Sequence, residues 1–350
     1  MSEHGMTSDD VQINGPSQES STPPPAVPTS RRPSRNEVAQ WARFALPALL
    51  VVLIVVFSIL APQTFATFGN ATTILSTQSV LALLALSALC TLVVGQFDLS
   101  LGAQLGLAQV ILPGVLSRQE VDLVVGILVA VACTTLVGLL NGLLVAKLKL
   151  DSFIVTLGVA TILSAVVLWY TDSQTIFQNV PASLVEISTT ELWGIPMPII
   201  YLAILTVIVW LVLERTAFGR RMEAVGGSQN AARLSGIDTD RVTVIAFMMG
   251  GALAGMAGVL QSSQVGSGNP ALGPEFLLPA FAAAFLGATS FRVGRFNVWG
   301  TIIAVLTVAT GVAGLNLLGV PQWVNPLFNG TALLVAVTAT RFLRGAGTTT

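Results

Sequence analysis

The sequence is dominated by apolar stretches, each close to the ~20 residues that a helix needs to cross a membrane. The predicted spans are 44–61, 72–94, 99–117, 122–147, 153–171, 197–214, 242–260, 276–291, 297–318 and 324–341. Only 9% of the residues are charged, against about 25% in soluble domains, so most of the chain cannot face water. We therefore predict an all-α polytopic membrane protein with about ten transmembrane helices. Because the third and eighth spans contain proline, we expect each of them to be a broken or re-entrant helix instead of a full span.

The basic residues predict how the chain is oriented. With ten spans and a cytoplasmic N-terminus, all but Arg118 of the 16 Lys and Arg residues fall on the cytoplasmic side. This is the bias that sets the orientation of membrane proteins. Residues 1–40 are rich in Ser, Thr, Pro and Gln, so we expect a disordered cytoplasmic tail. Residues 41–344 then form the transmembrane domain, and 345–350 form a second cytoplasmic tail.

The chain lacks the groups that catalysis or metal binding requires. The only histidine is His4, in the tail, and the two cysteines lie inside apolar runs. No phosphate-binding loop of the Gly-xxxx-Gly-Lys-Ser/Thr type is present. A net charge of −1 does not indicate the basic surface that nucleic-acid binding requires. We predict no catalytic residue, no metal site and no cofactor.

Neutral polar and aromatic side chains are the main functional candidates within the spans. Amides beside aromatic rings suit an uncharged polyhydroxyl solute, although amides also hold helices together. Asp98 is the one carboxylate that we find closely flanked by apolar sequence; it either binds a cation or solute or serves as a helix N-cap. The predicted translocation pathway consists of Gln78, Asp98, Gln104, Asn141, Phe281, Phe285 and Asn316.

Three spans contain Gly-xxx-Gly pairs, which let helix backbones approach closely in lipid. We expect them to serve packing within the chain, with a dimer face as the alternative. The pairs are Gly102 and Gly106, Gly138 and Gly142, and Gly251 and Gly255.

One cytoplasmic loop, residues 219–240, is unusually long and patterned. Its run 230–234 predicts a short helix between a double-glycine hinge and Gly236, a natural left-handed C-cap. Such a helix can dock into a groove of a partner, whereas the alternative is an ordinary basic loop. The residues that we assign to this contact are Gly226, Gly227, Ala231, Ala232, Arg233 and Gly236.

Six ordered motifs give the chain a family resemblance. They lie at 97–102, 141–149, 153–158, 194–196, 231–237 and 314–320. In these motifs the sequence resembles the permease subunit of bacterial ABC sugar importers of the ribose/xylose type. Branched-chain amino acid permeases have a similar loop and are the nearest alternative. A secondary carrier is a further alternative, but no embedded carboxylate pair supports it.

The resemblance implies a non-enzymatic permease of the bacterial inner membrane that moves a monosaccharide-like solute by alternating access. It also implies three partners: a separate cytoplasmic ATPase, an extracytoplasmic solute-binding protein, and a second permease copy or paralogue. By the same resemblance, 219–240 is the segment that contacts the ATPase.

Overall fold

The computed structural model describes residues 35–334, apart from 120, 293, 322, 325, 328, 329, 332 and 333. Most of the predicted N-terminal tail, most of the tenth predicted span and the tail 345–350 therefore lie outside the described residues. Residues 35–40, which the sequence assigned to the tail, are the start of the first helix.

The described part of the chain is almost entirely helical. Its helices are α1 (Arg35–Leu60), α2 (Phe68–Val93), α3 (Leu101–Gln119), α4 (Leu123–Ala146), α5 (Ser152–Thr171), α6 (Ala182–Thr189), α7 (Met197–Trp210), α8 (Ala217–Gly227), α9 (Gln229–Leu234), α10 (Thr239–Val265), α11 (Leu277–Gly287) and α12 (Val298–Leu317). A π-helical turn, Leu211–Arg215, extends α7, and a 3₁₀ turn, Pro274–Phe276, precedes α11. The strands β1 (Glu191–Leu192) and β2 (Ile195–Pro196) form a small antiparallel hairpin.

Capping side chains explain where many of these helices begin. The first amides of a helix lack partners within it, and a side-chain oxygen just before the helix can accept from one of them. Seven helices have such a cap: Thr67, Asp122, Asp151, Thr216, Ser228, Asp238 and Asn297.

Among the described residues, six helices are long and apolar enough to cross a membrane: α2, α4, α5, α7 with its π turn, α10 and α12. Two shorter apolar helices, Phe44–Leu60 and Pro274–Gly287, fall below that length. The structure therefore fits a polytopic helical membrane protein, while the count of about ten spans stays a prediction. The third predicted span is a continuous helix despite Pro113. The eighth is the short α11.

Helix α10 lies at the centre of the bundle, where it packs against α2, α3 and α4. In its most apolar stretch 67% of the residues are buried, compared with 22% in α4 and in α5. Helices α4 and α5 therefore expose most of their apolar side chains at the edge of the bundle.

Glycines bring α4 and α10 into close contact. A Cβ at Gly142 of α4 would lie 2.8 Å from the Cα of Val244, and one at Gly138 would overlap the carbonyl oxygen of Phe247. In the other direction, Gly251 of α10 lies against the carbonyl oxygen of Thr134. The Gly-xxx-Gly pair of each of these two helices thus packs against the other helix within one chain, which confirms the first interpretation of the motif.

We predict that Gly138→Val prevents the bundle from assembling, because overpacking typically costs about 1–3 kcal/mol and here the obstacle is backbone. The matched control is Gly158→Val on α5, where nothing lies within 4 Å of the added Cβ. Monodisperse yield after detergent extraction should fall sharply for Gly138→Val and stay normal for Gly158→Val. Equal yields would contradict this account of the α4–α10 contact.

Candidate functional site

The hydroxyl group of Ser100 is the centre of a buried polar cluster. It donates to Oδ1 of Asp98 at 2.6 Å and accepts from Nε2 of Gln104 and Nδ2 of Asn141, each at 2.8 Å. All four residues are fully buried. Since Asn141 belongs to α4 and Gln104 to α3, the cluster joins these two helices to the loop that leads into α3.

Three oxygen atoms of the cluster have no hydrogen-bond partner among the described residues: Asp98 Oδ2, Gln104 Oε1 and Asn141 Oδ1. All three are acceptors. The cluster can therefore still receive hydrogen bonds from a donor at these three atoms.

The loop that contains Asp98 is fixed from both sides. Oδ1 of Asp98 accepts from the backbone amide of Ser100 at 3.0 Å. On the α5 side, the hydroxyl groups of Ser152 and Thr156 accept from the amides of Phe97 and Leu99. Because α3 begins at Leu101, Asp98 is not the N-cap residue that the sequence suggested. It orders the turn just before the helix instead.

An aromatic cluster lies beside this loop. The ring of Phe97 is 41% exposed, and its centroid lies 6.0 Å from that of Phe281 and 6.2 Å from that of Phe285. Phe285 also meets Phe296 edge to face at 5.5 Å. The structure thus brings both predicted aromatic residues, which lie on α11, against the loop that precedes α3.

Two predicted pathway residues lie elsewhere. Gln78 is half-buried in the first half of α2, and Asn316 is exposed in the last turn of α12. Sequence reasoning in turn missed Ser100 and Phe97. Their signal was present, because both lie within four residues of Asp98 or Gln104.

The chain between α10 and α11 turns back along α3. A Cβ at Gly268 would lie 3.2 Å from the Cα of Val110, whereas one at Gly273 would lie 2.8 Å from the Cα of Gly106. Val110 and Gly106 are four residues apart, so between these points the chain descends about one turn of α3, or roughly 6 Å. Non-helical backbone at such depth is tolerated where protein surrounds it or where it lines a cavity. We call residues 266–276 the re-entrant segment because they turn back along α3, and the short α11 that follows them corresponds to the eighth predicted span.

Glu275 is a carboxylate that sequence reasoning missed. It is exposed in the 3₁₀ turn at the deep end of this segment, and its Oε2 accepts from the amide of Gly273 at 2.9 Å. Charged groups at membrane depth are costly and usually face a water-filled path. The signal in the sequence was a glutamate between Gly273-Pro274 and an apolar run.

The segment 219–240 contains the predicted short helix, α9, and Gly236 follows it with φ +81°. Gly226 and Gly227 are not a hinge, since they form the last turn of α8. Gly226 lies directly against the carbonyl oxygen of Val93 at the end of α2. The end of α8 is thus fixed to the bundle.

The side chains of α9 divide between the bundle and the solvent. Ala232 is buried, and Arg233 forms an ion pair with Asp240 at 3.2 Å. Asp240 also binds Lys149, at 2.5 Å. Leu234, by contrast, is 90% exposed. Arg233 therefore already has a carboxylate partner within the chain, and Leu234 is the apolar projection of this helix.

Comparison with known proteins places these features in a family. The family model described as the permease component of the branched-chain amino acid transport system matches residues 70–337. The ribose import permease protein RbsC of Bacillus subtilis (strain 168) is 36% identical over 247 residues, which cover 70% of this chain and 76% of that protein.

Two further relatives extend the match. RbsC of Haemophilus influenzae is 33% identical over 255 residues, covering 72% of this chain and 79% of the relative. The D-allose transport system permease protein AlsC of Escherichia coli (strain K12) is 29% identical over 308 residues, covering 87% and 93%. No solved structure matches the chain.

For the polar cluster we predict that Asp98→Asn leaves stability unchanged or raises it. Asparagine keeps an acceptor for Ser100 and removes a buried charge that no basic group offsets among the described residues. Asp98→Ala should lower stability by about 1–3 kcal/mol, because it leaves the Ser100 amide and hydroxyl unpaired. The midpoint of thermal unfolding in detergent distinguishes the two variants. An asparagine variant as unstable as the alanine variant would show that the charge itself is needed.

Proposed function

Because the chain belongs to the family of ABC-transporter permease components, we propose that it carries a monosaccharide-like solute across the bacterial inner membrane. It is a transport subunit and not an enzyme, as its relatives are. The observation that supports the sugar most directly is the likeness to ribose and allose permeases, which extends over 87% of the chain for AlsC.

We assign the solute pathway to the space beside the re-entrant segment. The rings of Phe97, Phe281 and Phe285 supply apolar faces there, and Glu275 supplies a hydrogen-bond acceptor at depth. The buried amides of Gln104 and Asn141 lie behind the loop that contains Phe97, where a rearrangement of the helices could uncover them. Gln78 and Asn316 lie nearer the other ends of α2 and α12, so we place them toward the outer entrance.

A branched-chain amino acid is the second candidate, since the family description names that transport system. An amino acid brings a carboxylate and an ammonium group into the pathway. Its carboxylate would need a basic or other strong donor group. In the six apolar spans the basic residues are Arg241, in the first turn of α10, and Arg215, at the very end of its span, so neither lies in the middle of a span. Neutral amides and rings fit an uncharged solute better.

We further propose the arrangement of the chain in the membrane. Both termini are cytoplasmic, the transmembrane domain extends over 41–344 with about ten helices, and the hairpin β1–β2 lies outside. The distribution of Lys and Arg supports this orientation. The tail 1–40 then lies in the cytoplasm, as does 345–350.

Three partners complete the proposed importer. A separate ATPase supplies energy, an extracytoplasmic binding protein delivers the solute, and a second permease copy or paralogue forms the other half of the pore. We assign the ATPase contact to 219–240, with Leu234 as its apolar centre. Exposed apolar side chains that enter a partner's pocket often dominate an interface. Gly226, Gly227, Ala231, Ala232, Arg233 and Gly236 then shape and hold the helix that presents Leu234.

The substrate class is tested by uptake of three radiolabelled probes, D-ribose, D-allose and L-leucine, into cells that express the complete transporter. We expect at least one of the two sugars to accumulate and leucine to stay at the level of cells without the permease. The control is a strain in which the ATPase is inactivated. Accumulation of leucine alone would contradict the sugar assignment and favour the amino acid permease.

A further inference from the structure

Four charged side chains connect two parts of the molecule that are far apart in sequence. Arg292 lies 3.4 Å from Glu214 and 3.5 Å from Glu223, and Arg295 lies 3.5 Å from Glu223. With two acidic and two basic groups, the set is neutral as a whole. It therefore needs no further charged partner from the ATPase or from another subunit.

These residues come from three separate elements. Glu214 belongs to the π-helical turn that ends α7, and Glu223 belongs to α8, inside the segment that we assign to the ATPase. Arg292 and Arg295 lie in the turn between α11 and α12. Single π-helical turns are rare and often occur at functional sites.

Glu214 holds the start of α12. Its Oε1 accepts from the backbone amide of Val298, the first residue of α12, at 3.3 Å. A carboxylate at this point satisfies one of the free amides of the helix and is attracted by the positive end of the helix dipole. The side chain is only 11% exposed, so water screens this interaction less than it screens a surface pair.

Arg292 pairs with both Glu214 and Glu223, and we call this arrangement the Arg292 joint. One terminal nitrogen of its guanidinium group faces Glu214 and the other faces Glu223. The rigid planar fork of arginine can engage two carboxylates at once, whereas lysine offers only a point charge. The outer pair with Glu223 is more exposed, because Glu223 is 32% exposed and Arg292 is 45% exposed.

The opposite end of the same segment has its own attachment. Asp240, in the first turn of α10, binds Arg233 of α9 and Lys149 of the loop between α4 and α5. The segment α8–α9 is thus attached by one carboxylate to the central helix α10 and by the Arg292 joint to α12. Movement of the segment would act on both helices.

We propose that Arg292, with Glu214 and Glu223, is a positioning group that transmits movement of α8 to α11 and α12. This inference rests on the proposed function, since it assumes that an ATPase moves α8. Helix α11 contains Phe281 and Phe285, which contact Phe97 beside the proposed pathway. The joint therefore links the ATPase contact to the aromatic groups that meet the solute. Without it, α8 can move while α11 and α12 stay behind.

The test measures ATP hydrolysis and solute uptake together, in proteoliposomes that contain the complete transporter with ATP and binding protein. For Arg292→Ala we expect ATP hydrolysis close to wild type and uptake per ATP lower by about threefold to tenfold, the range expected for loss of one or two partly exposed ion pairs. The control is Arg241→Ala, which breaks the pair with Asp238 within the first turn of α10 and its cap. It should leave uptake per ATP unchanged.

A charge exchange separates positioning from a general loss of structure. Glu223→Arg places a positive group against Arg292 and Arg295, so uptake per ATP should fall as in Arg292→Ala. Adding Arg295→Glu recreates an ion pair with reversed signs and should restore at least half of the wild-type ratio. This comparison decides the question even if Arg292→Ala fails to insert in the membrane.

Uptake per ATP at the wild-type level in both Arg292→Ala and Glu223→Arg would overturn the proposal. So would a charge exchange that restores nothing although the protein inserts normally. If the wild-type transporter shows no ATP-dependent uptake, the proposed function itself fails, and that result is distinct from a coupling ratio that does not respond to these variants.

Discussion

The close approach of helix backbones around α10 is the contact on which the rest of the bundle depends. Lipid gives little hydrophobic driving force between helices, so association relies on van der Waals packing and buried hydrogen bonds. Gly138 and Gly142 of α4 meet the backbone of α10 directly, and Gly251 meets that of α4. A hydrogen bond from the hydroxyl of Ser87 to the carbonyl of Gly250 fastens α2 to the same helix. Helices α2, α3 and α4 thereby keep fixed positions around one axis.

This fixed centre explains why the polar groups lie where they do. The Ser100 cluster joins α3 to α4 on one side of the bundle, and the loop before α3 presents Phe97 to α11. The re-entrant segment reaches the first turns of α3 because Gly102 and Gly106 leave space for its backbone. Ion pairs of Glu223 with Arg292 and of Arg233 with Asp240 then tie α8 and α9 to the bundle, so the proposed pathway and the proposed ATPase contact belong to one connected framework.

The sequence predicted those features that depend on local signals. The spans 122–147 and 153–171 agree within one residue with α4 and α5, because Asp122 and Asp151 cap helices whose apolar runs are uninterrupted. Helix α9 was predicted from another local signal, the left-handed Gly236 that follows it. The eighth span was expected to be broken or re-entrant because of its proline, but its position beside Gly102 of α3 could not be inferred from its own residues. Likewise, nothing near Gly226 in the sequence indicates Val93, and nothing near Arg233 identifies Asp240 as its partner rather than an acid of the ATPase.

Leu234 is the proposed apolar group through which an ATPase drives the permease. The most direct test is copurification of the ATPase and ATP-dependent sugar uptake in proteoliposomes, comparing wild type with Leu234→Asp. A matched control is Leu192→Asp in the hairpin on the proposed outer face, where Leu192 is 44% exposed. We predict that wild type and the control bind the ATPase and lose uptake when ATP is withheld. Leu234→Asp should lose roughly tenfold or more in ATPase binding and nearly all uptake. Uptake that continues without ATP, or that is normal in Leu234→Asp, would contradict the account.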